Sequence, residues 1–271
     1  MNDLPLIEGA GFFVFPDRAA GLRQSLRVFY VRPASFDRVV IAMHGLDRAA
    51  SEFRDGWRDH AERLGLFVMV PEFDVEAFPD AYSYNYGNVR RPGAEFRPRD
   101  LWNFGIIDRL FEQVRAALRF QREKFSFFGL SAGAQYVQRY LALTGAPFVD
   151  LAICCNCGWY MVPDLTRDYP VGMSGLDLDE TSIRYYLEKR MIVLLGSADC
   201  DPAAPDLPRG GAAAAQGPNR LLRGLWHFNY CRVIATRLGG NFGWELQIAP
   251  GLGHVHPELH SIAATMIAAS S

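Results

Sequence analysis

A serine between two glycines, Ser131 in the pentapeptide 129–133 (Gly-Leu-Ser-Ala-Gly), is the residue most clearly placed for chemistry. The apolar run 125–128 precedes it and the amphipathic segment 132–143 follows it. On a sharp, strained turn between a strand and a helix, such a serine presents its hydroxyl above the carboxyl end of a sheet. The glycines suit a turn where strand and helix approach too closely for a Cβ. The pentapeptide alone is a weak signal, and the alternative is a glycine-rich turn with a surface serine.

A serine hydroxyl becomes a useful nucleophile only when a base takes its proton, so a histidine is required. Of six histidines, His254 is placed best, because it follows the last predicted strand on the glycine-rich loop 249–254. His256, two residues later, is the alternative. His44 follows a strand and is expected to shape a neighbouring loop. The others fall inside predicted helices, where packing or surface exposure is the usual role; they are His60, His227 and His260.

A carboxylate must orient that base and stabilise its imidazolium form. Asp199 follows the apolar run 191–195 in Gly-Ser-Ala-Asp, with Asp201 and then Asp206 as alternatives. An aspartate at such a place is often only a turn residue. The chain order serine, aspartate, histidine is nevertheless the order expected for a serine on a strand-to-helix turn. These three residues predict acyl transfer through a covalent acyl-serine.

Acyl transfer also needs donors for the negative oxygen of the tetrahedral intermediate. One is expected to be the N–H of Ala132, at the positive end of the following helix. The other is expected to be the N–H of Leu46, in the loop His-Gly-Leu-Asp after an apolar strand. The alternative for that loop is an ordinary turn.

The elements that must position these residues alternate along the chain. Extended runs at 11–15 and 25–32, with a turn at 16–21, predict an antiparallel pair. Further strands are predicted at 38–43, 66–71, 125–128, 148–155, 191–195 and 244–249. Helices are predicted at 51–64 (with Ser51 as a possible N-cap), 101–120, 132–143, 180–190, 219–238 and 260–269. The pattern predicts one α/β domain over 1–271, with a mostly parallel sheet of about eight strands and helices on both faces.

Two insertions, at about 75–99 and 156–179, are expected to shape the mouth of the site. The residues predicted to contact substrate are Tyr84, Tyr86, Arg90, Arg91 and Trp159. Arginines among tyrosines could bind a carboxylate or phosphate. A solvated face, or pairing with Glu95 and Asp100, is the commoner role of such arginines, and packed aromatics are the commoner role of the second insertion.

Composition limits the remaining classes. The net charge of −2 argues against nucleic acid and anionic membranes as partners, and no apolar run is long enough to span a bilayer. The N-terminal residues lack the pattern of an export signal. Five cysteines without a regular framework indicate reduced thiols, and Cys154, Cys155 and Cys157 are expected to pack in the core rather than bind zinc. We expect a cytoplasmic protein without a metal or cofactor, and a homodimer is compatible with the sequence.

The four motifs 43–46, 129–133, 196–199 and 251–254 together resemble the α/β-hydrolase fold, in the group of polyhydroxybutyrate-depolymerase-like and feruloyl-esterase-like proteins. The resemblance spans residues from Arg38 to the C-terminus. It implies a metal-free serine mechanism, and some relatives act on polymers, including the amide bonds of poly(aspartic acid). Depolymerases of this group usually carry an export signal, whose pattern this sequence lacks.

Three functions are compatible with these residues. The leading hypothesis is hydrolysis of a carboxylic ester with a small or medium acyl group. The second is an amidase or depolymerase acting on an anionic polymer, suggested by the arginines of the first insertion. The third is a non-catalytic binding protein that keeps the fold. The presence of all triad and oxyanion candidates argues against this third function.

Overall fold

A computed structural model describes residues 4–17 and 25–270, and its centre is a sheet of eight strands. The strands are β1 (Gly9–Pro16), β2 (Ser25–Arg32), β3 (Arg38–Met43), β4 (Leu66–Pro71), β5 (Phe125–Leu130), β6 (Val149–Cys155), β7 (Met191–Gly196) and β8 (Trp244–Ala249). Their order across the sheet is β1-β2-β4-β3-β5-β6-β7-β8. β2 is antiparallel to both β1 and β4, and all other neighbours are parallel. The predicted mostly parallel sheet of eight strands is confirmed. The predicted turn at 16–21 lies partly outside the described residues.

The central strands are buried on both sides, which explains their continuous apolar sequences. In β3, Val39, Ile41 and Met43 face one core, whereas Val40 and Ala42 face the other. The alternation follows from the two-residue period of a strand. Both faces of the sheet therefore need covering helices.

Eight helices are present in the described chain. They are α1 (Ala50–Asp55), α2 (Arg58–Leu64), α3 (Gly105–Leu118), α4 (Ala132–Thr144), α5 (Glu180–Glu188), α6 (Gly211–Ala214), α7 (Arg220–Arg237) and α8 (Pro257–Ala269). Helices α1, α2 and α8 contribute to one core, and α3, α4, α5 and α7 contribute to the other. The predicted helices on both faces are confirmed. None of the helices in the described ranges is long and apolar enough to cross a membrane.

The single helix predicted for 51–64 is wrong, because the chain forms two helices that meet at Gly56 and Trp57. A Cβ on Gly56 would lie 2.4 Å from the Nδ1 atom of His260, so α8 packs directly against this break. The predicted N-cap role of Ser51 is also wrong. The cap position is Ala49, and the Ser51 hydroxyl donates to the Glu52 carboxylate within the helix.

The helix predicted for 101–120 starts later than expected. A 3-10 turn occupies Arg99–Leu101, and Trp102 is extended with ψ 135° before α3 begins at Gly105. The indole N–H of Trp102 donates to the carbonyl of Arg97, which holds this extended residue in place. Apolar periodicity alone does not reveal such a side-chain hydrogen bond.

Candidate active site

The turn between β5 and α4 holds Ser131 in a conformation that few residues adopt. Its φ of 56° and ψ of −111° place it outside the common regions of the backbone map. A Cβ on Gly129 would lie 2.3 Å from the carbonyl oxygen of Gly133, and a Cβ on Gly133 would lie 2.0 Å from that of Met43. The close approach of strand and helix therefore requires both glycines. This packing holds Ser131, which lies between them, in its strained backbone conformation.

The structure brings Ser131, His254 and Asp199 into one hydrogen-bonded chain. The Nε2 atom of His254 lies 3.0 Å from the Ser131 Oγ atom, and its Nδ1 atom lies 2.8 Å from Asp199 Oδ2. Asp199 is buried, whereas His254 is partly exposed and lines a cavity with Ser131. A base within hydrogen-bond reach of a hydroxyl, oriented in turn by a carboxylate, is the geometry that activates a serine.

The alternative acid and base candidates have other contacts. The Asp201 carboxylate accepts the backbone N–H of Ala203. The His256 ring caps α8, because its Nδ1 atom accepts the N–H of Glu258. Asp206 does reach His254, but at the Nε2 atom and at 3.7 Å, so it does not occupy the position of the orienting acid.

The loop after β3 reaches the serine from the other side. A Cβ on Gly45 would lie 3.9 Å from the Cβ of Ser131, and Leu46 lines the same cavity as Ser131. Ala132 is the first residue of α4, so its N–H has no acceptor within that helix. The two expected oxyanion donors therefore belong to segments that meet at the serine.

His44 locks this loop in place. Its Nδ1 atom donates to the carbonyl of Gly45 at 3.0 Å, and its Nε2 atom accepts the N–H of Phe73 at 3.1 Å. Complete burial lowers the pKa of His44 to about 4, so the ring is neutral at pH 7, as one donor and one acceptor require. The Tyr84 hydroxyl donates to the His44 carbonyl at 2.7 Å. The expectation that His44 shapes the loop agrees with these contacts.

The cavity in front of Ser131 has a volume of about 470 Å³ and mostly apolar walls. Those walls include Leu46, Phe53, Leu130, Val255 and Pro257. Its charged groups are the carboxylates of Asp47, Glu52 and Asp206. Within the described chain, no arginine or lysine lines this cavity.

The five predicted substrate residues lie elsewhere. Tyr84 is fully buried, and Tyr86 accepts the indole N–H of Trp159 at 3.0 Å. The guanidinium of buried Arg139 stacks on the rings of both Tyr86 and Trp159. The contacts of Trp159 follow the packed-aromatic interpretation of the second insertion, and Tyr84 and Tyr86 of the first insertion are packed as well. None of these three residues lines the cavity of Ser131.

Arg90 and Arg91 line a separate cavity of about 210 Å³. Arg91 pairs with Asp80 at 2.7 Å, and Arg90 lies 3.8 Å from Asp168. Pairing was one of the alternatives for these arginines, although the partners differ from the expected Glu95 and Asp100. Their role in substrate binding stays a prediction.

Sequence reasoning missed two residues that hold the site together. Asn156, fully buried at the end of β6, donates from Nδ2 to the carbonyls of Gly253 and His254 and accepts the N–H of Gly196. Arg220, at the start of α7, is buried and contacts both Asp199 and Asp206. For Asn156, the only available sequence signal was an asparagine directly after a buried strand. For Arg220 the sequence carried no signal, since an arginine at the start of a helix is normally solvated.

The fold and this site define the class of protein, a serine hydrolase with the α/β-hydrolase fold. Comparison with protein-family models finds no match, and comparison with curated protein sequences finds none either. Among solved structures, poly(aspartic acid) hydrolase-1 from Sphingomonas sp. KT-1 is 34% identical over 97% of this chain and 99% of that chain, with a TM-score of 0.92. The poly(3-hydroxybutyrate) depolymerase LpqC from Bordetella parapertussis is 30% identical over 96% of this chain and 89% of that chain, with a TM-score of 0.91.

The chain belongs to the family that these two hydrolases represent. A fluorophosphonate-binding serine hydrolase from Staphylococcus aureus, FphF, shares the fold at 11% identity and a TM-score of 0.57. The resemblance inferred from the four sequence motifs is confirmed.

Proposed function

We propose that this protein hydrolyses a carboxylic ester through an acyl-serine intermediate, with Ser131 as nucleophile, His254 as general base and acid, and Asp199 as the orienting carboxylate. One observation carries the proposal: Ser131 Oγ lies 3.0 Å from the His254 Nε2 atom and opens into a cavity of about 470 Å³. A nucleophile, its base and room for an acyl group thus coincide.

In the first half of the reaction, His254 Nε2 takes the Ser131 proton as Oγ bonds to the ester carbonyl carbon. Asp199 holds Nδ1–H in the correct tautomer and stabilises the imidazolium. The N–H groups of Ala132 and Leu46 receive the negative oxygen, and one donor of this kind is worth about 10²- to 10³-fold in rate. His254 then protonates the leaving oxygen, and the bond between that oxygen and the carbonyl carbon breaks.

In the second half, water replaces the alcohol. His254 takes a proton from the water as it attacks the acyl carbon and returns that proton to Ser131 Oγ as the acid leaves. The chain's own residues carry every proton transfer of this cycle, in which one water molecule is consumed. No group of histidine, cysteine and acidic residues in the described ranges is arranged to hold a metal ion.

The walls of the cavity favour a small or medium acyl group without charge. Leu46, Phe53 and Leu130 present apolar surface beside Ser131. Burial of acyl methylenes there contributes about 0.8 kcal/mol each. A negatively charged acyl group would instead meet Asp47 and Glu52.

A second candidate is an amidase or depolymerase acting on an anionic chain. It is motivated by the 34% identity to a protein described as a poly(aspartic acid) hydrolase. The absence of arginine and lysine from the lining of the described cavity weighs against it. Arg90 and Arg91 would have to bind such a chain from their own cavity.

Fluorophosphonate labelling followed by an ester and amide panel tests the proposal. We expect stoichiometric labelling and p-nitrophenyl ester turnover in wild type and in Ser35→Ala, an exposed control serine, but not in Ser131→Ala. Turnover of aspartyl peptides with little ester turnover would favour the second candidate. A folded wild-type protein that neither labels nor turns over any ester would refute catalysis and point to a binding protein.

A cytoplasmic location and a homodimer are further proposals. All five cysteines are free thiols, and all but Cys200 are buried, a pattern compatible with a reducing compartment. Cell fractionation tests the first proposal, and light scattering tests the second.

A further inference from the structure

Asp206 lies on the open side of the catalytic histidine. Its Oδ2 atom is 3.7 Å from the His254 Nε2 atom, the nitrogen that also faces Ser131 Oγ. The carboxylate is half-exposed and lines the cavity that holds Ser131. A second carboxylate therefore borders the reacting atoms, on the side opposite Asp199.

Arg220 holds this carboxylate in position. Its Nη2 atom lies 2.8 Å from Asp206 Oδ1, and its Nη1 atom lies 3.3 Å from Asp199 Oδ1. Partial burial raises the pKa of Asp206. The hydrogen bond and the charge of Arg220 lower this pKa by more than burial raises it, so the pKa lies below its usual value. Asp206 is therefore ionised at neutral pH, and one guanidinium is shared between two carboxylates.

The reaction places the leaving group beside this charge. In acylation, Nε2 of His254 gives its proton to the leaving oxygen, so that oxygen must lie within hydrogen-bond reach of Nε2. The Asp206 carboxylate is 3.7 Å from the same nitrogen. The other titratable groups lining the cavity are Asp47, Glu52, His256 and His260. In the described chain no lysine or arginine lines the cavity, and Arg220, which pairs with Asp206, is not among the lining residues.

We propose that Asp206, held by Arg220, makes this site select its substrate by the charge of the leaving group, favouring cationic over neutral and neutral over anionic alcohols. The inference rests on the proposed ester hydrolysis and names its substrate class. A half-exposed carboxylate changes the preference for a unit charge by about two- to fivefold, and added salt weakens that preference.

Three butyrate esters that differ in leaving-group charge test the inference: those of choline, of its neutral isostere 3,3-dimethylbutanol, and of 3-sulfopropanol. The measured quantity is the ratio of kcat/KM values between esters, in wild type, Asp206→Asn and Asp201→Asn. Asp201→Asn removes the same charge from the same loop, and the Asp201 side chain contacts the Ala203 N–H instead of His254. We expect Asp206→Asn to lower the cationic-to-neutral ratio and the neutral-to-anionic ratio by about two- to fivefold each. Asp201→Asn should change neither ratio.

Arg220→Gln supplies a second variant. Without the guanidinium, the Asp206 carboxylate loses the positive charge that offsets its own negative charge. A folded Arg220→Gln protein should therefore prefer the choline ester more strongly than wild type does. A fall of all three rates together with unchanged ratios would show that Arg220 acts through Asp199 and not through Asp206, and would overturn the role that the inference gives to Arg220.

Equal ratios in wild type and Asp206→Asn, with Ser131-dependent turnover of the neutral ester, would overturn the inference and leave the proposed function intact. If wild type turns over no ester, the proposed function fails. The same ratio is then measured from inactivation rates with phosphonothiolates that release thiocholine or its neutral isostere, and equal ratios there would overturn the inference as well.

Discussion

Asn156 joins the loop of the base to the strand that carries the acid. Its Nδ2 atom donates to the carbonyls of Gly253 and His254 at 3.1 and 3.0 Å, and its Oδ1 atom accepts the N–H of Gly196 at 2.8 Å. Gly196 ends β7, three residues before Asp199. The Asn156 side chain is buried, so a group at its position has little access to bulk water.

Asn156→Asp keeps the shape and the acceptor but removes the amide donors. The carbonyls of Gly253 and His254, which are partly buried, then face a buried carboxylate, so the free energy of unfolding should fall by about 2–5 kcal/mol. A displacement of the His254 loop by about 1 Å should lower kcat/KM by about 10²-fold. The loss should appear mainly in kcat, because Leu46, Phe53 and Leu130, which line the cavity beside Ser131, lie outside the displaced loop.

Asn103→Asp is the matched control. The Asn103 amide also donates to two carbonyls, those of Ser83 and Tyr84, and is also fully buried. Both variants should unfold at lower temperature in a thermal melt. Per titrated active site, only Asn156→Asp should lose ester turnover. Full kcat in Asn156→Asp, or an equal loss in both variants, would refute the reasoning that Asn156 positions His254.

Three further predictions concern the serine turn and an acid-sensitive histidine. Ser131→Gly should unfold at a higher temperature than Ser131→Ala, because glycine relieves about 1–3 kcal/mol of strain at φ 56°; equal melting temperatures would contradict this. Gly133→Ala should destabilise the fold severely, because its Cβ would meet the Met43 carbonyl oxygen at 2.0 Å, whereas Gly253→Ala meets nothing within 4 Å and should melt close to wild type. Burial, with a smaller effect of His60, lowers the pKa of His260 from 6.5 to about 4. The contribution of neutral His260 to the free energy of unfolding is therefore complete above pH 6.5 and is lost as the pH falls towards 4. About 2 kcal/mol of it is lost by pH 5. In urea unfolding, the free energy of unfolding of His260→Leu should depend less on pH than that of wild type. The same pH dependence in both proteins would contradict the lowered pKa of His260.

Local patterns predicted most of the fold. The bounds of β2, β3, β4 and β8 follow from short apolar or alternating runs that end at polar or glycine residues. Errors arose where a specific side-chain contact overrides periodicity. The α1–α2 break coincides with the packing of His260 on Gly56, and the late start of α3 coincides with the local hydrogen bond from Trp102 to the Arg97 carbonyl.

The sequence by itself determined the order of strands and helices, the glycine-framed turn at Ser131 and the candidates for base and acid. These features depend on neighbours within a few positions: strand and helix periods are local, and a Cβ at Gly129 would meet the carbonyl oxygen of Gly133 in the same turn. Only the tertiary structure decided that Asp199, rather than Asp201, contacts His254 across 55 residues of chain. It also decided that Asn156 and Arg220 support that contact and that Asp206 faces the Nε2 atom. Such contacts depend on parallel strands ending at one edge of the sheet and on the path of each loop beyond it, neither of which local spacing specifies.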